Sequence, residues 1–303
     1  MNMDEEFESI YQKIYDASYS RLEEVKANNR KFLTIFTLVL VIINLILYII
    51  PGIRPISIIF VCISVCILIF FYIHGRQIYT HAYKKCVIEG LVKAYNENLS
   101  FDPTIGISQS EYLMADFDRT FNEYTSEDRI YGRLNTGDSF QLAEVTTCQV
   151  TRRVDEQGRE QVDRTETFRG MFGVVYLNKN STMNVGVFGD SVMRRYSHNR
   201  VEVDSSEFEK LFDLVTDDKV AAMRIFTSDL IERYIDIRRG NRFGLEVKIH
   251  WDRVYFRFRC GEMFEPPVFV SGLKRDHLRA FYNQIYYPLE LLDKTVEHVN
   301  EIN

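Results

Sequence analysis

Two unbroken apolar runs dominate the pattern of this chain: FLTIFTLVLVIINLILYII (Phe32–Ile50) and ISIIFVCISVCILIFFYI (Ile56–Ile73), separated by PGIRP. Neither run holds a charge, and the linker holds only Arg54. A spanning helix needs about 20 mostly apolar residues to cross about 30 Å of hydrocarbon. The pattern therefore predicts a transmembrane hairpin over 32–73, with spans 32–50 and 56–73. Tyr72 and His74 sit where the shorter second run would meet the headgroups. Two buried helices of a soluble core fit poorly, because both runs are long and uncharged. A cleaved signal peptide fits poorly too, since charged and polar residues precede the first run and no small-residue cleavage site follows it. Thr34, Thr37, Asn44, Ser57 and Ser64 are the clearly polar side chains within the runs. Asn44 has two expected partners: the second helix, or its own backbone. The absence of an ionisable residue from either run argues against a proton relay or ion path built from the hairpin alone.

Helical periodicity continues on both sides. Phe7, Ile10, Tyr11, Ile14, Tyr15, Leu22 and Val25 recur at three- and four-residue steps within 1–31, and Ile78, Tyr79, Tyr83, Cys86, Val87, Leu91, Ala94 and Tyr95 do so within 74–98. Neither segment is separated from its run by Pro or a Gly-rich break. Two long antiparallel helices continuing as a stalk are expected. The acidic start (Asp4, Glu5, Glu6, Glu8) suits a stalk better than a helix lying on an anionic leaflet. Arg21, Lys26, Arg30 and Lys31 precede the first run; Arg76, Lys84 and Lys85, with His74 and His81, follow the second. That asymmetry against the lone Arg54 predicts both termini on the cytoplasmic side.

Residues 99–303 change character. Leu99–Phe101 reads as a short strand ending at Asp102-Pro103, and Ser108 with Glu111 as a capping box opening a short helix. Residues 119–138 read as loop and edge. Ser139–Arg153 and Val162–Tyr176 read as a long hairpin about Asp155–Gly158, its tip carrying charges of both signs that suit solvation. Asn178–Ser181 reads as a turn, and Met183–Phe188 and Val201–Val203 as short strands. Three capped helices are then expected: one after Ser206 and Glu209 carrying Phe208, Leu211, Phe212 and Leu214; one after Asp217 or Asp218; and one after Thr227 or Ser228, stopping near Arg238-Arg239-Gly240. Leu245–His250 and Val254–Cys260 alternate as a second hairpin with one apolar face and one wet, charged face. Val268–Val270 adds strand formers, and a final helix follows that Pro288 should kink or restart. The fold class is a membrane-anchored α+β protein. It comprises a transmembrane hairpin with a helical stalk and a cytosolic, mostly antiparallel sheet domain with packed helices over 99–303.

Composition narrows the partners. The 303 residues carry a net charge of −6 and a pI of about 5.6, against the cationic surplus that broad nucleic-acid binding requires. Five cysteines without regular spacing fit free thiols in a reducing compartment. The 14% aromatic content fits a filled core rather than disorder.

The segments IYGRLNTGDSFQLAEV (Ile130–Val145), TFRGMF (Thr167–Phe172) and SSEFEKLFDLVTDDKVAAMRIFTSDLIERY (Ser205–Tyr234) together resemble the bacterial membrane-protein family designated domain of unknown function 3137. The resemblance implies a bacterial inner-membrane protein of unassigned activity, and it supplies no catalytic residue.

Candidate chemistry is correspondingly thin. There is no Cys-x-x-Cys or His-Glu-x-x-His, and Cys62 and Cys66 read as small hydrophobes within a span. Gly170-Met171-Phe172-Gly173 is too bulky for a phosphate loop and suits close backbone packing; Gly186–Asp190 reads as a strand ending in a turn. A Cys260–His250 pair is opposed by the pleat, which puts the two on opposite faces. No cofactor is expected. The one candidate surface is an arginine cluster around the second hairpin, Arg238, Arg239, Arg242, Arg253, Arg257 and Arg259, which would bind an anionic ligand, an acidic partner or the inner leaflet if the six shared a face. The alternative is that these arginines pair with the plentiful carboxylates. The expected partners are the bilayer, a protein of unassigned identity and, as an option, a second copy of the chain. The expected role is a membrane-tethered interaction or regulatory module with no evident catalysis. The alternatives are a tethered enzyme whose site is assembled from distant residues, or an accessory subunit of a membrane complex.

Overall fold

The computed structural model describes residues 3–50, 52, 54–155, 157–179, 183–189, 199–240, 244–266 and 273–302. The chain divides into two compact units, 1–90 with 265–278, and 91–264 with 279–303.

The first unit is built on helix α1 (Met3–Ile49) and helix α2 (Arg54–Tyr83). On the first side flank and apolar run form one uninterrupted helix, as the periodicity predicts; on the second, α2 carries the apolar run on as far as Tyr83. The helices run antiparallel. Asn29 Nδ2 donates to the Gly75 carbonyl at 2.8 Å, Phe71 sets its ring edge against Phe32 (5.3 Å) and Phe36 (4.9 Å), and Asn44 Nδ2 donates to Ser64 Oγ at 3.3 Å. Asn44 also donates to the Leu40 carbonyl, so both of its expected partners are used. The stretches Glu5–Ile49 and Ile56–Tyr95 are both long and apolar enough to cross a membrane. Their apolar side chains point outward: Ile35 is 63% exposed, Ile58 69% and Phe70 65%.

The smooth periodicity of 74–98 hides one break. A π-helical turn, Lys84–Ile88, separates α2 from helix α3 (Glu89–Tyr95). Such insertions rotate the following residues and often mark functional positions. Here Lys84 is buried and pairs with Glu265 at 2.7 Å, while Ser18 Oγ donates to the Cys86 carbonyl.

The second unit is organised by one nine-stranded sheet. Its strands are β1 (Leu99–Asp102), β2 (Glu123–Arg133), β3 (Ser139–Val154), β4 (Glu160–Tyr176), β5 (Asn184–Gly189), β6 (Arg200–Val201), β7 (Phe212–Thr216), β8 (Leu245–His250) and β9 (Arg253–Arg259). Their order is β1-β2-β3-β4-β9-β8-β5-β7-β6, and every pairing is antiparallel. The two long hairpins predicted from alternation, β3–β4 and β8–β9, meet along β4–β9, where Met171 faces Phe258 and Gly173 faces Phe256. Gly170, at φ +154°, lies so close to the Phe258 carbonyl and the Cys260 amide that a Cβ would collide with both. Beyond Cys148 and Glu166 the β3–β4 hairpin runs on as an exposed two-stranded arm. At its base the Asn122 side chain exchanges hydrogen bonds with Val150, 2.8 and 2.7 Å, and ends the β2 edge in place of backbone.

Four expectations need correction. Residues 123–133 are a full strand and not loop. A bulge between Glu127 and Ile130, with Asp128 at φ +57° and buried, breaks the alternation that would have revealed it. Phe212–Thr216 is strand β7, so the helix before it is a single turn, α5 (Phe208–Leu211). Ser205, and not Ser206, accepts the Phe208 amide there. Phe212 and Leu214 suit either period, and the open edge of β5 settles the choice. Pro288 does not restart the closing helix: α8 (Arg275–Ile302) runs through it without a gap, with Ile285 and Leu289 on either side fully buried. The charged face of β8–β9 is wet only toward its ends, at His250 and Arg259; between them Tyr112 and Phe117 cover Arg257.

Other helices follow their caps. Helix α4 (Gln109–Met114) starts at Ser108, whose Oγ accepts from the Glu111 amide. Helix α6 (Lys219–Ile225) starts at Asp218, which accepts from the Ala221 amide, and helix α7 (Ser228–Gly240) ends on Arg238, Arg239 and Gly240. Val268–Val270, Asp190, Asn180 and Ser181 lie outside the described residues.

Candidate functional site

Arg253, Arg257 and Arg259 alternate on β9 and so share one face of the sheet. That face is roofed by the segment around α4. The Arg257 guanidinium pairs with Glu246 on β8, donates to Tyr112 Oη at 3.1 Å and lies over the rings of Phe117 (4.8 Å) and Phe168 (5.0 Å). Arg253 Nη1 donates to Glu111 Oε1 and to Tyr255 Oη, both at 3.0 Å. The Glu111 carboxylate thus serves Arg253, and the box predicted at α4 is only half made. Arg259 donates to the Thr167 carbonyl at 2.9 Å. Arg239, on α7, binds Glu207 through Nε at 2.8 Å. Arg238 is in the same last turn of α7, and Arg242 lies outside the described residues. Three of the six are thus brought together, beneath an aromatic roof and beside carboxylates. A pair this buried holds its place because each charge is both paired and hydrogen-bonded.

The β2–β4 face carries a polar groove of about 390 Å³, lined by Glu127, Glu144, Cys148, Arg164, Glu166 and Arg169 among others. Its charges are interleaved. Glu144 is buried, lies 3.5 Å from Arg169 and accepts the Met263 amide at 2.9 Å; Arg169 also binds Glu262 at 2.9 Å, and Arg164 binds Glu123 at 3.1 Å. Among the described residues no group of three or more His, Cys, Asp and Glu side chains is arranged to hold a metal ion. Burial pushes the Cys260 thiol up to about 11, so it stays protonated near neutrality, and His250 is exposed at the β8–β9 turn. A further cavity of about 320 Å³ borders β5, β7 and β8. Lys248 is spent there, donating to the carbonyls of Ala115 (3.0 Å) and Asp116 (2.6 Å).

A cleft of about 720 Å³ lies in the first unit, between α1 and α2 where the apolar runs meet their basic flanks. Lys26, Asn29, Arg30, Phe32 and Leu33 line it from α1. Phe71, Tyr72, His74, Gly75, Arg76, Ile78, Tyr79 and Thr80 line it from α2, and Pro266 completes it. The lining contains three cationic side chains and no carboxylate. In the sequence Lys26, Arg30 and Arg76 read only as an orientation signal. The i, i+4 spacing of Lys26 and Arg30 is visible there, but their meeting with Arg76 depends on helix pairing.

Similarity to known proteins adds little chemistry. No curated protein matches the chain. The crystal structure of the mycobacterial trehalose monomycolate transport factor A, TtfA, is similar at 10% identity and a TM-score of 0.32, covering 68% of this chain and 92% of that one. Residues 166–295 match the family described as Protein of unknown function (DUF3137). That range takes in Thr167–Phe172 and Ser205–Tyr234, and Ile130–Val145 lies before it. The match over 166–295 is thus to the same family that the TFRGMF and paired-helix segments resemble.

Proposed function

We propose that this chain is a membrane-tethered module whose hairpin, α1–α2, inserts in the bilayer and whose sheet unit serves as a cytosolic interaction or regulatory domain. One observation carries the tether: the outward apolar faces of 32–50 and 56–73. Burying a Leu, Ile, Val or Phe side chain is worth about 1.5–3 kcal/mol. A dozen left in water would outweigh the roughly 5–15 kcal/mol that holds a whole domain together. Lipid removes that cost. Basic flanks at both ends of the hairpin support placing both termini in the cytoplasm.

For the sheet unit, the reading rests on how its buried charges are used. Arg257 with Glu246, and Arg200 with Asp213 (3.0 Å), turn toward one another. A catalytic site would instead aim perturbed ionisable groups into a shared cleft.

The test is extraction. Membranes carrying the full chain, washed in alkaline carbonate, are expected to retain it in the pellet; release into the supernatant overturns the tether. A reporter fused after Asn303 is expected to be active only as a cytoplasmic reporter, and periplasmic activity overturns the orientation.

A further inference from the structure

We infer that the cleft between α1 and α2 is a binding site for an anionic phospholipid, with Lys26, Arg30 and Arg76 holding the phosphate and Phe32, Leu33 and Phe71 receiving the upper acyl chain. The inference rests on the membrane tether proposed above and goes beyond it, since a tether needs no lipid preference.

The two chemistries of the cleft are arranged by chain position. Its cationic residues lie outside the apolar runs, at 26, 30 and 76; Phe32, Leu33, Phe71 and Tyr72 line it from within the runs, and Ile78 and Pro266 add apolar lining beside the cations. In a bilayer that boundary falls at headgroup depth, where a phosphate stands directly above hydrocarbon. A volume of about 720 Å³ exceeds what a free phosphate would fill and accommodates a headgroup with the first part of its chains. The walls are held apart at a fixed distance by the Asn29–Gly75 hydrogen bond and the Phe32–Phe71 contact.

Charge complementarity decides the occupant. Lys26 has one carboxylate neighbour, Glu23 at 3.4 Å, in an exposed i, i+3 pair of little strength. Arg30 and Arg76 have no carboxylate partner among the described residues, whereas the arginines of β9 are held by Glu246, Glu111 and a backbone carbonyl. Two exposed guanidiniums suit phosphate oxygens bidentately. A zwitterionic lipid brings its own ammonium and would repel them. Asn29 and Tyr79 add polar groups on the same walls.

The experiment uses the full chain in phosphatidylcholine vesicles carrying trace spin-labelled phosphatidylglycerol or spin-labelled phosphatidylcholine. Electron paramagnetic resonance reads the fraction of each label immobilised by the protein. A basic residue near an anionic surface is worth about fivefold in binding, so wild type is expected to favour phosphatidylglycerol several-fold. K26Q/R30Q/R76Q is expected to reduce that preference to about onefold, whereas R152Q/R153Q on the β3–β4 arm leaves it intact. K26R/R30K/R76K, which keeps the charge, should retain most of it. Equal immobilisation of both labels by wild type, or an unchanged preference in the triple glutamine variant, overturns the inference. Complete displacement by millimolar glycerol phosphate also overturns it, by assigning the cleft to a soluble phosphate. Carbonate extraction of the same vesicles separates the two readings: a chain that stays in the pellet without lipid preference refutes the cleft alone, and a chain that washes off refutes the tether.

Discussion

Ile35, Ile58 and Phe70 of the hairpin stand 63%, 69% and 65% exposed, while Arg257 and Glu246 of the sheet unit are 8% and 6% exposed. One region turns its apolar side chains outward and the other turns charge inward. The same side-chain chemistry underlies both. An apolar surface is inexpensive only where it meets no water, and a charge away from water is inexpensive only where a partner and hydrogen bonds replace its hydration. On the proposed reading the hairpin meets the first condition in a bilayer. The sheet unit builds the second condition internally, from Tyr112, Phe117 and Phe168 over the Arg257–Glu246 pair.

Reversing each region tests this contrast. The largest effect should come from adding charge to the hairpin. I42K/I59K places two lysines on exposed apolar positions, each costing about 2.5–3.5 kcal/mol in a helix centre. The carbonate-resistant fraction is expected to collapse. If the outward face met water, both substitutions would instead be tolerated and the protein would become more soluble.

Next in size is the buried pair. Removing one partner, as in E246Q or R257M, leaves a charge or donor fork without compensation and should cost about 3–5 kcal/mol. Replacing both with apolar residues, E246L/R257M, should recover most of that loss, measured by urea denaturation of the purified protein. A double variant as unstable as the singles would mean that Tyr112 and the surrounding roof, rather than the pair, set the stability.

Gly170 should follow. G170A forces a Cβ against the Phe258 carbonyl at a backbone angle that L-residues rarely adopt. A loss of about 2 kcal/mol or more is expected from the same denaturation, as for strain at a special backbone position. Ala at Gly158, an exposed turn position with open space around it, should cost less.

The smallest effect concerns Asp293. Tyr95 Oη donates to it at 2.6 Å, and Asn135 donates through its side chain at 2.8 Å and its backbone at 3.1 Å. Burial nevertheless raises its carboxyl above the usual range. A raised folded pKa means that the native state binds the proton more tightly than the unfolded chain. That contribution is fully present below the unfolded pKa and is lost as pH rises through the folded one. The stability of wild type relative to D293N should therefore improve as pH falls through the carboxylate range. The gain is bounded by about 1.4 kcal/mol for each tenfold difference in proton affinity between the folded and unfolded chain. A gap independent of pH would show that the hydrogen bonds cancel the burial.

Much of the architecture was legible before any coordinates. Ser108 and Asp218 announced their helices because capping is a local exchange of hydrogen bonds. The β3–β4 and β8–β9 hairpins announced themselves because alternation and turn residues are local too. The arginine cluster was legible as composition, but not as arrangement: Arg257 and Lys248 read as solvent-facing from alternation alone, yet both are spent on partners from elsewhere in the chain. Strand β2 was hidden because its bulge shifts the period, and β7 because its few residues fit two periods equally.

The amino-acid order alone determined the two apolar helices, most strand positions, the caps and the excess of cation beside the hairpin, since each follows from hydrophobicity, period or charge within a few neighbouring residues. Only the tertiary structure decided which charges are buried, that Arg30 and Arg76 share one cleft, and that the face of β8–β9 which looks wet is roofed. Those outcomes depend on contacts between residues tens to more than a hundred positions apart, and no local pattern carries that information.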